Sequence, residues 1–212
     1  PVIGSILLTP STPTSQDDIT CQAVDVTDAD GEEVSLTYAW TIDGAPVTED
    51  GTVLSGPFSV DANVSCSVSA QDASSETTAS AAVMIQNTLP QIDAVAISPD
   101  SGVEANTLLT CTGSASDVDG DTPTITYEWM NSTGASLGTE ATLQLDPSIV
   151  TVGDEVSCYI TAVDANGGSK MDSTVVLVDN TMPTVQSDAS ITPSSAFTGT
   201  SLTCTASFED LN

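Results

Sequence analysis

The stretch SDVDGDTPTITYEW, Ser116 to Trp129, sets Asp117, Asp119 and Asp121 at alternate positions and then runs into an alternating apolar segment. Carboxylates this dense permit a calcium loop, an acid–base pair, or an acidic turn with no chemistry of its own. A near copy, TDADGEE, carries Asp28, Asp30 and Glu32, and Asp210 with Asn212 begins a third. Calcium takes hard oxygen ligands, and these loops offer little else. An EF-hand does not fit. With Asp117 as its first ligand, Glu128 stands in twelfth place, but the glycine required in sixth place is Thr122, and the first copy has Ala39 where Glu128 stands.

Catalysis has few reagents. The chain contains no histidine, so an ordinary Ser/His/Asp triad cannot form. Asp100, Ser101 and Gly102 spell the DSG of aspartic proteases, but once only, and that chemistry needs two carboxylates sharing a proton. The triplet reads as a turn. A glycosidase pair would need aromatic platforms for sugar, and aromatics are 4% of the chain. The expectation is a protein that is not an enzyme and uses no organic cofactor.

Charge narrows the partners. Thirty acidic residues face one base, Lys170, for a formal charge of −29 over 212 residues. Nucleic acid and anionic membranes are excluded, because both are bound through Lys and Arg. Cations are the natural company. With 39% hydrophobic residues the chain can build a core. No apolar run approaches the roughly 18 residues of a membrane span, so no membrane insertion is expected. The first residue is Pro rather than Met, which reads as a mature piece or a fragment.

An internal repeat organises the rest. Setting Pro1, Pro90 and Pro183 in register aligns Cys21, Cys111 and Cys204, places Trp40 on Trp129, and places Cys66 on Cys158. LTYAW matches ITYEW, and VSCSVSAQD matches VSCYITAVD. The expected organisation is repeat one at 1–89, repeat two at 90–182, and the N-terminal strands of a truncated third at 183–212. The break at Asn212 reads as a cut through a longer array, or, alternatively, as orphan strands that complete a neighbouring subunit. Val64, Cys66, Val68 and Ala70 alternate with polar residues, as do Leu36, Tyr38, Trp40 and Ile42. Period two predicts half-buried strands, and turn residues every eight to twelve positions predict a β-sandwich.

Two cysteines per complete repeat, with a Trp soon after the first, resemble immunoglobulin-like domains. That resemblance implies an all-β chain of tandem sandwiches, with Cys21–Cys66 and Cys111–Cys158 joining strands B and F against Trp40 and Trp129. It also implies an oxidising, extracellular or cell-surface location. Two buried free cysteines per repeat is the alternative reading. TYAW, TYEW, the DxDG loops and the linker VDNTMP further resemble the PKD-like and bacterial Ig-like repeats of giant microbial surface proteins.

In the immunoglobulin order the acidic stretch joins strands B and C, and Asp72 or Asp164 follows strand F, at the end where the chain enters the domain. The linkers reach the same end. Asn87 is expected to face Asp117, Asp119 and Asp164, while Asp179 and Asn180 are expected to face Asp210 and Asn212. VDNTMP looks like the acidic, proline-ended linkers of cadherin repeats, which hold calcium between domains. The expected metal ligands are therefore Asp28, Asp30, Asp72, Asp117, Asp119, Asp121, Asp164, Asp179, Asn180 and Asp210, with a plain polar turn as the competing reading. The function implied is a stalk or filament segment stiffened by calcium, whose partners are neighbouring repeats or copies of itself. An adhesin segment binding a glycan or protein through its loops is the alternative.

Overall fold

The computed structural model describes residues 1–210; Asn212, named above with Asp210, lies outside them. Among the described residues every regular element is a strand, and no helix is long and apolar enough to cross a membrane. The chain forms two compact units. One comprises Pro1–Pro90 with Ser116–Pro123 and Asp164–Ser169; the other comprises Gln91–Ala115, Thr124–Val163 and the chain from Lys170.

In the first repeat, β1 (Ser5–Thr9), β2 (Ile19–Val24) and β5 (Val53–Leu54) form one sheet, in the order β1-β2-β5. The other contains β3 (Ser35–Ile42), β4 (Ala45–Pro46), β6 (Asn63–Gln71) and β7 (Glu76–Met84), in the order β4-β3-β6-β7. Alternation in NVSCSVSAQ sends every second side chain of β6 inward. Val64, Cys66, Val68 and Ala70 are accordingly buried, the first three in one cluster with Leu8 and Ile19 of the facing sheet. The same alternation places Trp40 in the core and leaves Tyr38 and Ile42 half-buried, but Leu36 is exposed. Leu36 stands one residue from the start of β3, opposite Ala70 near the end of β6, where the apolar face runs out.

The second repeat uses the same plan. β8 (Gln91–Ser98), β9 (Leu108–Ser116) and β12 (Thr142–Gln144) form one sheet. β10 (Thr124–Asn131), β11 (Ser136–Gly138), β13 (Glu155–Val163) and β14 (Ser169–Leu177) form the other, in the order β11-β10-β13-β14. Trp129 lies opposite Cys158 as Trp40 lies opposite Cys66. Disulfides Cys21–Cys66 and Cys111–Cys158 clamp sheet to sheet, which settles the choice against free cysteines at these positions. Each Trp is fully buried, and its indole donates to a carbonyl eleven residues on: Trp40 Nε1 to Gly51 at 2.8 Å, and Trp129 Nε1 to Glu140 at 2.9 Å. The residues between differ in the two repeats, yet the anchor recurs. Two packed antiparallel sheets, a disulfide between them and a buried Trp make each repeat an immunoglobulin-like sandwich.

The two cores exchange volume at one aligned pair. Gly113 of β9 stands where the first repeat has Ala23, and a Cβ there would lie 2.6 Å from Ile160 Cδ1. The residue aligned with Ile160 is the smaller Val68. A larger residue on one sheet is matched by a smaller one on the other, as close packing requires. Beyond the second sandwich, β15 (Thr184–Thr192) and β16 (Thr203–Glu209) pair as an antiparallel hairpin whose residues are all exposed, including the free Cys204.

Candidate functional site

Both DxDG loops turn the chain by the same device. Asp28 Oδ1 accepts the Asp30 N–H at 2.9 Å and the Glu32 N–H at 3.3 Å, and Asp117 Oδ1 accepts the Asp119 N–H at 2.8 Å. Gly31 and Gly120 then take φ of +76° and +93°, backbone that favours glycine. The turn reading thus accounts for one oxygen of the first aspartate in each loop. The other oxygen remains for something else.

The aspartate after β6 or β13 divides its oxygens in the same way. Asp72 Oδ1 accepts the N–H groups of Ser74 and Ser75 at 2.7 and 2.6 Å. Asp164 Oδ1 accepts those of Asn166 and Gly168 at 2.9 and 2.7 Å. Asp72 Oδ2 also accepts the Ser75 hydroxyl at 3.0 Å, while Asp164 Oδ2 is left for a donor outside its own loop.

In the first repeat these second oxygens hold a positive charge. The Pro1 ammonium lies 3.1 Å from Asp28 Oδ2 and 3.3 Å from Asp72 Oδ2. Its hydrogen bond holds the Asp28 carboxyl below its usual range, and Asp28 in turn raises the ammonium. Asp72 is held far below the carboxylate range, first by the Ser74 N–H and then by its other donors, against some desolvation. The Glu32 carboxylate joins Asp28 and Asp72 with ligand atoms within 4.8 Å of one another. Glu32, named with Asp28 and Asp30 in the same loop, is the one that gathers with Asp28 and Asp72; Asp30 is exposed and lends this loop its N–H.

At the loops Ser116–Pro123 and Asp164–Ser169 the donors come from Asn87 and Thr88. Asn87 Nδ2 donates to Asp164 Oδ2 at 2.9 Å. The Thr88 N–H donates to Asp119 Oδ2 at 2.7 Å, and its hydroxyl reaches Asp119 Oδ1 at 3.3 Å. Gly168 makes room: a Cβ there would sit 2.3 Å from Asp164 Oδ2 and 2.9 Å from Asn87 Nδ2. Thr88 was not anticipated as a partner. Its signal was the recurrence of Asn-Thr at 87–88 and 180–181, each two residues before a proline.

Three oxygens here are buried with no hydrogen-bond donor: Asn87 Oδ1, Asp117 Oδ2 and Asp121 Oδ2. Each can only accept, and a buried acceptor without a partner costs free energy. Among the described residues, the three carboxylates whose ligand atoms gather within 4.8 Å of one another are Asp28, Glu32 and Asp72, not Asp117, Asp119, Asp121 or Asp164. The remaining expected ligands lie elsewhere. The Asp179 N–H donates to the Val103 carbonyl at 2.6 Å, and the residue lines a surface cavity with Asp100 and Glu155. Asn180 Nδ2 donates to the Thr181 carbonyl at 2.8 Å, and Asp210 is exposed just after β16.

The Asn87 contact makes Asp164 a reporter. The carboxyl is buried, yet its pKa is lowered from 3.8, first by Asn87 and further by the Gly168, Asn166 and Gly167 N–H groups, against desolvation. A depressed carboxyl contributes stability that is present above the unfolded pKa and lost as pH falls through the folded value. In carboxyl-carbon NMR, Asp164 of the native chain is expected to titrate below 3.8, and Asn87→Ala is expected to move that midpoint upward. An unmoved midpoint would show that the loop N–H groups alone hold the charge.

No family model matches the chain, and no curated protein matches it either. Solved structures with a similar fold include the three N-terminal domains of the outer capsid protein Hoc of bacteriophage RB49, at 18% identity and a TM-score of 0.34, covering 98% of this chain and 69% of that one. The amphioxus IgVJ-C2 molecule is similar at 14% identity and a TM-score of 0.39, covering 78% and 98%. Domains 3–6 of protocadherin gamma B2 are similar at 12% identity and a TM-score of 0.30, covering 98% and 56%. At such identities and scores these likenesses carry no argument about ligands. The class rests on the chain's own geometry: tandem immunoglobulin-like sandwiches, each with one disulfide between its sheets.

Proposed function

We propose that this chain is a structural segment of an extracellular surface protein, in which sandwiches of one kind are strung in series and the acidic loop ends take up calcium. The observation that carries the calcium reading is the set of buried, donorless oxygens on Asn87, Asp117 and Asp121. The Asp28, Glu32 and Asp72 carboxylates, with ligand atoms within 4.8 Å of one another, support it at the aligned place in the first repeat. Asp28, Glu32 and Asp72 would hold one ion; Asn87, Asp117 and Asp121 would supply oxygens to another. Bound calcium supplies charge neutralisation and fixes loop to loop; it does no catalysis. Disulfides between sheets suit an oxidising exterior, and a charge of −29 keeps such repeats apart in solution. The role is mechanical: repeats give length, and the acidic ends set stiffness. In this reading the chain belongs with the giant repeat proteins of microbial surfaces and assembles as a stalk or filament with its own neighbouring repeats.

Isothermal calorimetry against calcium tests this. Sites of extracellular modules bind at about 0.1–1 mM. At 10 mM calcium and a Kd of about 1 mM, the stabilisation is about 1.4 kcal/mol, which raises Tm by roughly 6–11 °C for a domain of this size. Asp117→Asn and Asp121→Asn together should remove the heat of one site. No heat and no Tm shift at millimolar calcium would end the calcium reading and leave the structural one standing.

A further inference from the structure

We infer that the second sandwich pairs edge to edge with a second copy of this chain, β14 against β14, in an antiparallel register centred on Met171 that sets Lys170 of each copy opposite Asp172 of the other. Lys170 is the one base beside 30 acidic residues, it lies on β14, and among the described residues it makes no ion pair. Its charge is unspent within the chain. β14 is an edge strand, last in the order β11-β10-β13-β14. Just past it, the Val178 N–H donates to the Asp154 carbonyl at 2.9 Å and the Val178 carbonyl accepts the Gly153 N–H at 2.8 Å, both on the β13 side. The odd-numbered residues therefore turn their N–H and C=O groups to the other, open side. Two contacts agree: the Asp179 N–H crosses to the Val103 carbonyl at 2.6 Å, and the Ser173 N–H is met by its own neighbour's Asp172 Oδ1 at 2.8 Å. The bridge from Val103 to Val178 closes the far end of this edge, and Ser169 to Val175 remain as a template for another strand.

Side chains choose the occupant and the register. Met171 and Val175 are 58% and 51% exposed, where the first repeat has Thr78 and Ala82. Lys170 and Asp172 stand where the first repeat has Thr77 and Ala79, so the charges belong to this edge alone. An unspent cation suits an acidic partner, and the chain itself carries −29. Centring the pair on Met171 makes Lys170 and Asp172 meet twice, at the non-hydrogen-bonded positions where side chains come closest. Centring it on Lys170 or Asp172 would set like charges opposite, and centring it on Ser173 would leave Lys170 against Val176. In the Met171 register the Ser173 N–H donates to the other copy's Ser169 carbonyl, which releases the Asp172 carboxylate to the lysine. This side-by-side contact goes beyond the arrangement in series and needs no calcium.

Sedimentation equilibrium with a chelator present tests this at about 0.5 M salt, where the Debye length is roughly 4 Å and repulsion between the copies is screened. A dimer is expected to form between about 10 μM and 1 mM chain. Lys170→Asp or Asp172→Lys alone should weaken it about tenfold, and the two together should restore it. In a Cys204→Ser background, Met171→Cys should form a disulfide between copies, because hydrogen-bonded partners stand about 5.5 Å apart at Cα; Val175→Cys should not. Every replaced side chain is exposed, and an unchanged Tm checks that the fold is kept. A monomer throughout, a dimer indifferent to the charge reversals, or a disulfide through Val175→Cys instead would overturn the inference. So would stronger association of Lys170→Thr, which would make the lysine a guard against edge pairing. None of these outcomes bears on calcium at the acidic loops.

Discussion

Replacing Cys111 and Cys158 together by alanine is expected to lower the unfolding free energy of the second sandwich by about 4 kcal/mol, because the clamp closes a long loop in the unfolded chain. The two residues are 47 positions apart, and the loss grows only slowly with that length. Against the roughly 5–15 kcal/mol typical of a whole domain, this is a large fraction. The clamp adds to a core of Trp129 and aliphatic side chains such as Val156, Leu109 and Ile160. The Cys21–Cys66 bond is untouched in this variant, so the transition of the first sandwich should stay in place. Urea unfolding followed by fluorescence in a Trp40→Phe background isolates the second core. A loss below about 1 kcal/mol would show that the sheets hold without the clamp and that the unfolded chain is already compact there.

The parts of this molecule that were legible in the sequence are those written in side-chain type and spacing. The alternation of Val64, Cys66, Val68 and Ala70 appears as four buried residues on β6, since a strand converts period two directly into faces. Cysteine and tryptophan spacing gave the sandwich because it was repeated, and the same spacing closes both disulfides. The acidic ends were legible only in part. That Asn87 meets Asp164 followed from topology; that Thr88 holds Asp119 did not, because the principal donor is a backbone N–H and every residue except proline has one. Glu32 rather than Asp30 joins Asp28 and Asp72 because the loop bends between them, at Gly31, and alternation means nothing in a turn. Gly168 carried no signal at all, since the need for a missing Cβ arises only when Asn87 and Asp164 come together.

The division of labour on the aspartates explains why two readings competed for one motif. A carboxylate has two oxygens, and Asp28 and Asp117 each use one to make the turn. Turning the chain is therefore what aims the other oxygen inward. In the first repeat that carboxylate gathers with Glu32 and Asp72, and at Asp117 the second oxygen is buried without a donor. One side chain thus has an oxygen for the turn and another left over, which is why both readings fit the same motif.

Trp129→Ala is expected to cost the second sandwich about 3–5 kcal/mol, the range for emptying a large aromatic from a core. Two terms add. The side chain is 0% exposed, so its removal leaves a cavity between the sheets beside Cys158. Its indole N–H also satisfies the Glu140 carbonyl, which the alanine leaves without that donor. Trp129→Phe separates the terms: most of the ring volume stays, the donor goes, and the loss should fall to about 1–3 kcal/mol. Trp40→Ala should give a similar loss in the first sandwich, because Gly51 occupies the place of Glu140 at the same eleven-residue distance. Denaturant unfolding of the three variants, with the slope held constant, supplies the comparison. If Trp129→Phe proves as damaging as Trp129→Ala, the indole hydrogen bond rather than the packed ring fixes the segment that follows β10. If Trp129→Phe costs nothing, the recurrence of that bond in both repeats is a consequence of packing and not one of its causes.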